Sequence, residues 1–92
     1  MKNKNKELAI SAGYVGKQTN RKIRKWLRNI HKINININHR THSQTYYYNI
    51  SGVYQKGEAG ILYTDYYTKY PSYKHALNKA LNEALKILID DI

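Results

Sequence analysis

The chain has no cysteine, no phenylalanine, one proline and one methionine, and only 6 acidic residues among 92. Without cysteine there is no disulfide framework and no thiolate metal site, which fits a reducing compartment. No run approaches the roughly 18 apolar residues of a membrane span, so no membrane partner is expected. Lysines 2, 4 and 6 precede Leu8-Ala9-Ile10, an apolar run too short for the core of a signal peptide. The expected location is therefore the cytoplasm. The stretch Gly13-Tyr14-Val15-Gly16-Lys17 lacks the length and the Ser/Thr of a phosphate-cradling loop. With no triad, no carboxylate pair and no cofactor fingerprint, the sequence reads as non-enzymatic, with no cofactor and no metal.

What is present is positive charge, unevenly spread. The formal net charge is +10, from 16 Lys and Arg. Residues 1–40 hold eleven of these bases and one acid, Glu7, whereas residues 41–92 hold five bases and five acids. All the excess lies in the first half, which points to a polyanionic partner. Lys, Asn, Ile and Tyr, residues of AT-rich codons, make up nearly half the chain, so base composition alone can inflate lysine. Two features resist that reading. Arg21, Arg24 and Arg28, three of the four arginines, share one short segment, and 10 tyrosines stand against no phenylalanine although the codons of both are AT-rich. Tyrosine in every aromatic position but one suggests rings whose hydroxyl ends reach water or a ligand.

Residues 1–18 read as a basic flexible segment, in which 7–18 are a short helix or an irregular lead-in, and residues 19–92 as a single α+β domain. Thr19 or Asn20 caps a helix over 20–32. Its Ile23, Trp26, Leu27 and Ile30 are spaced i, i+3, i+4, i+7 and form the stripe expected to be buried. At 100° per residue, Arg21, Lys25, Arg28 and Lys32 fall opposite, with Arg24 beside them, and no acid laces that face. Residues 33–38, Ile-Asn-Ile-Asn-Ile-Asn, switch to a period of two and predict a half-buried strand. A polar loop at 39–44, a strand at 45–54 with Gly52 as a bulge, a turn at 55–60 and a strand at 61–69 follow. Ser72 caps a last helix over 73–89, whose Tyr73, Ala76, Leu77, Ala80, Leu81, Ala84, Leu85 and Leu88 form one stripe. Asp90 and Asp91 oppose the dipole there, so fraying is expected. The expected architecture is α-β-β-β-α, a three-stranded antiparallel sheet with two helices packed on one face.

The strongest functional feature is the cationic ridge of the first of these helices. Arg21, Arg24, Lys25, Arg28 and Lys32 are expected to grip phosphate, flanked by Arg40, Lys74 and Lys79. Trp26 lies on the apolar stripe and reads as core. Strand alternation turns Tyr46 and Tyr48 one way and Tyr47 the other, so Tyr47 can stack on unpaired bases from the open side of the sheet. Ordinary cross-strand pairing accounts for the same tyrosines. His39-Arg40-Thr41-His42 reads as a polar loop touching phosphate rather than as an acid–base pair or a metal site, since a third ligand is lacking.

Two resemblances attach to these residues. The α-β-β-β-α order is similar to the double-stranded-RNA-binding domain, whose last helix opens roughly Lys-Lys-x-Ala-Lys. Here Tyr73-Lys74-His75-Ala76-Leu77 keeps Lys74 and Ala76. That likeness implies that the start of the last helix and the loop with His39 or His42 straddle A-form grooves. Trp26-Leu27-Arg28 with His31, Ile33 and Ile35, and then Ser72-Tyr73 through Leu88, resemble short uncharacterised proteins of Bacteroidetes phages and mobile elements. This second likeness implies a phage accessory protein, and with it a counter-defence inhibitor of the anti-CRISPR type, bound to a host RNA-guided effector or its guide RNA. The expected partner is thus nucleic acid, RNA more than DNA, or a host ribonucleoprotein.

Overall fold

Thr19 holds extended backbone angles and its Oγ1 accepts the Lys22 amide at 3.3 Å, which starts a helix where the sequence places one. The computed structural model describes residues 4–17, 19–53 and 59–91. Its elements run α1 (Lys4–Ser11), α2 (Asn20–Ile30), β1 (Asn34–Arg40), β2 (Thr45–Val53), β3 (Ala59–Tyr70) and α3 (Tyr73–Asp91). The class is α+β with one three-stranded antiparallel sheet, ordered β1-β2-β3. The expected order holds from α2 onward and is corrected at the start, because an additional helix makes it α-α-β-β-β-α. No helix among the described residues is long and apolar enough to cross a membrane.

The alternation in β1 does what its period requires. Ile35 is buried against Ile50, its partner on β2, while Asn34 and Asn36 are exposed on the other face. On the Ile35 side Tyr48 is also buried, and α3 covers that face with α2 beside it on β1. β1 continues to Arg40, so His39 and Arg40 are strand rather than loop, and Thr41–Gln44 form the turn. Residues 59–60 of the expected turn belong to β3, and residues 54–58 lie outside the described residues. Gly52 is not the bulge; the irregularities lie opposite, where β3 gains Leu62 between Ile61 and Tyr63 and residues 66–69 between Asp65 and Tyr70. Gly52 instead admits Leu62, whose Cδ1 would stand 2.8 Å from an added methyl.

α3 buries Ala76, Ala80, Leu81, Ala84, Leu85 and Leu88, and it continues to Asp91 rather than fraying at Asp90. Small residues alternating with leucine let the helix lie close to the sheet. The segment 1–18, expected to be basic and flexible with a short helix or an irregular lead-in over 7–18, contributes Ala9, Ala12 and Tyr14 to the core. α1 packs against α3, Ala9 and Ala12 are buried, and the Tyr14 ring meets Trp26 edge-on at 5.3 Å. Gly16 turns the chain with φ +144, a region that L side chains rarely adopt, and closes over the Tyr14 hydroxyl.

Three helices meet at Asn78. Its backbone carbonyl accepts the side-chain amide of Asn5 from α1 at 3.0 Å, and its Oδ1 accepts that of Asn20 from α2. Asn5 is only 3% exposed and also accepts from Asn82 at 3.4 Å. A buried amide left half-paired costs more than the hydrogen bond itself contributes. Asn5→Ala is therefore expected to lower the unfolding free energy by about 1–3 kcal/mol in urea titration. An unchanged midpoint would detach α1 from the cooperative fold.

Candidate nucleic-acid interface

α2 buries Ile23 and Leu27 and half-buries Trp26, whose ring also meets His31 edge-on at 4.6 Å. Ile30, expected on the same stripe, is 64% exposed. Its helical angle is within about 20° of the buried Ile23, so its place in the last turn of α2, not its angle, leaves it exposed. The exposed arc carries Arg21, Lys25 and Arg28, with Lys22 beside them. α2 contains no acidic residue, and these four side chains have no carboxylate partner among the described residues. Like charges three and four apart oppose the helix by about 0.2–0.5 kcal/mol per pair, so the arc stores repulsion that a polyanion would relieve. Lys22 was not singled out from the sequence, although its helical angle falls inside this arc.

Arg24 is not part of the free ridge. It is half-buried and donates to the Tyr73 hydroxyl at 2.6 Å and to the Ile35 carbonyl at 2.8 Å. Position 24 lies 60° from Leu27, at the margin of the buried stripe, and there a long side chain can turn inward. Lys32 follows the C-cap His31 with φ 57, a left-handed conformation that usually falls to Gly or Asn. Its Nζ folds back onto the Asn29 carbonyl at 3.1 Å, so its charge is partly committed to the helix terminus.

Of the flanking residues, only Lys74 adjoins the ridge. It is exposed, next to Tyr73 and one turn before Asn78, the two α3 residues bonded to α2. Lys79 is exposed on the solvent side of α3, turned away from α2. Arg40 shares the Asn36 face of β1, so the sheet separates it from α2.

On that open face Arg40 is held by aromatic rings. Its guanidinium lies 4.5 Å from the Tyr47 centroid and 4.8 Å from that of Tyr66, and it donates to the Thr68 carbonyl at 3.2 Å. Tyr47 faces away from Tyr46 and Tyr48, as alternation requires, but it is half-buried beneath Arg40 and Tyr66. His39 is exposed and packs on Tyr46 at 4.8 Å, and no cluster of three potential metal ligands occurs among the described residues.

Asp65 pins the bulge that carries Tyr66 and Tyr67. Its carboxylate accepts the Thr68 amide at 3.1 Å and the Tyr70 hydroxyl at 2.6 Å. Burial alone would raise its pKa; these hydrogen bonds and the nearby Arg40 charge outweigh that and hold it below the ordinary value. Burial and the bond to Asp65 push Tyr70 up to about 12. Burial also raises Tyr48, so both phenols stay neutral.

The chain matches no protein-family model, no curated protein and no solved structure.

Arg24→Ala is expected to cost about 1–3 kcal/mol of stability through its two lost bonds. Arg28→Ala should stay within about 0.5 kcal/mol of the parent in the same denaturation series. The stability contributed by Asp65 is present above about pH 4 and lost as pH falls through its lowered folded value. Tyr70→Phe, which removes one donor, is expected to lower stability at neutral pH and to shrink the acid-linked loss below that pH, read by urea midpoints from pH 7 to pH 2.

Proposed function

We propose that this protein is a small non-enzymatic nucleic-acid-binding module of the cytoplasm, with RNA favoured over DNA, that grips phosphates with α2. The observation that carries this reading is the exposed arc of Arg21, Lys22, Lys25 and Arg28 on a helix with no acid of its own. Its backbone is fixed by the Arg24 and Asn20 bonds to α3, so the charges are presented at set positions rather than on a mobile tail. Arginine can contact phosphate bidentately, and each phosphate neutralised releases counterions, which gives binding its salt dependence. Lys74 extends the arc on the α3 side, and Lys32 extends it past the end of the helix.

The resemblance to phage accessory proteins supports a second reading, in which the target is a host RNA-guided effector and the ridge meets its guide RNA or an acidic patch. The two readings share the same residues, and capture of one stoichiometric host protein after nuclease treatment would favour the second.

The test is anisotropy with labelled RNA across a salt series. Arg21→Glu/Lys25→Glu/Arg28→Glu is expected to reduce affinity by at least about a hundredfold and to flatten the plot of log K against log salt by about two to three. A folded triple variant that binds as the parent does would remove α2 from the interface.

A further inference from the structure

The open face of the sheet holds an aromatic array that phosphate gripping by α2 leaves unused. Arg40 lies over Tyr47 and Tyr66, whose rings meet edge-to-face at 5.1 Å, and Tyr67 stands 5.7 Å from Tyr66. Exposure rises outward along this array. Tyr47 is half-buried, Tyr66 is 54% exposed and Tyr67 is 91% exposed. The two outer rings sit on the 66–69 bulge, which Asp65 and Thr68 fix at its base, so the rings are presented by a braced segment. Beside them, the Asn36 amide donates to Asn49 Oδ1 at 2.8 Å, leaving the Asn36 carbonyl and the Asn49 amide facing solvent.

The occupant must suit three properties of this face. Apart from Ile61 and the tyrosine rings, the described side chains of this face are mainly amides and hydroxyls, a poor match for the continuous apolar layer between packed sheets, which disfavours a second copy of the chain. The register puts Asp65 opposite Tyr48, on the α3 side, so among the described residues the open face has a cation and no carboxylate. That favours an anionic ligand over a neutral glycan. The exposed rings need planar partners whose faces are free, which unpaired bases have and the bases of a duplex do not.

We propose that Tyr66 and Tyr67 form a stacking platform for unpaired nucleotides, with Arg40 bracing the rings and the Asn36–Asn49 pair meeting base or sugar edges. This rests on the nucleic-acid reading above and adds strandedness to it: the ligand is a single strand. α2 packs on β1, an edge strand, whereas Tyr66 and Tyr67 stand on β3 two strands across, so a ligand that meets both must turn round the β1 edge and cross the open face past the Asn36–Asn49 pair and Arg40. A flexible single strand can turn round that edge and meet both surfaces, whereas a stiff duplex cannot.

The test compares a labelled oligouridine of about 12 nucleotides with a blunt RNA duplex of the same length. The parent should bind the single strand more tightly. Tyr66→Ala/Tyr67→Ala should weaken single-strand binding by about tenfold or more with the salt slope unchanged, and Tyr66→Phe/Tyr67→Phe should retain it. Tyr67→Ala alone, which removes an almost wholly exposed ring, should cost at least about fivefold and covers the case in which the double variant fails to fold. Undiminished binding by the folded alanine variants, or tighter binding of the duplex by the parent, would overturn the platform. The α2 reading would survive either result if its glutamate variant still loses affinity. A parent that binds neither probe would overturn both.

Discussion

Arg24 is the side chain on which the geometry of the basic surface depends. One guanidinium joins three elements, leaving α2 to reach the first residue of α3 and a carbonyl of β1. Together with the buried Ile23 and Leu27 it fixes the rotation of α2 about its own axis. With that rotation fixed, Arg21, Lys25 and Arg28 can only point outward. A guanidinium suits this position better than an ammonium would, because its planar fork serves two acceptors at once.

The distribution of acids reinforces that geometry. Glu7 lies on α1, Asp65 on the underside of β3, and Glu83 and Asp90 on α3. None of them sits on α2, so among the described residues no carboxylate relieves the repulsion along its exposed arc. An isolated helix of this composition would be disfavoured, and α2 exists because burial of its apolar side and its ties to α3 outweigh the charge term. The proposed affinity for a polyanion and the charge repulsion in the free protein would therefore share one origin.

Much of this was legible in the sequence, and the parts that were not have identifiable causes. Period changes located α2, all three strands and α3, because each buries one face and the pattern of apolar residues reports that directly. A helix before α2 is only one of two alternatives over 7–18 in the sequence and falls outside the expected domain, because Ala9 and Ala12 are weak apolar signals between glycines and lysines, and the partners of α1, Asn78 and Asn82, lie more than seventy residues away in the chain. Arg24 and Arg28 look alike in a charge count, and only the 60° between position 24 and Leu27 separates a tether from a free cation. Arg40 read as a loop residue because cross-strand pairing with Thr45 and the rings of Tyr47 and Tyr66 are tertiary events. The bulge at 66–69 has no local signature at all, since Asp65 and Tyr70 create it by closing on each other.

β1, as an edge strand, also bears on self-association. Alternating isoleucine and asparagine on an outer strand is the kind of sequence that builds cross-β fibrils, where amide ladders and dry apolar seams repeat from chain to chain. Such growth needs a run of vacant backbone groups along the strand's outer side. The tether from α2 occupies the Ile35 carbonyl within that run, and the unopposed cations of α2 add like-charge repulsion against any incoming copy. The helix that carries the exposed cations thus also occupies part of the neighbouring strand's outer backbone.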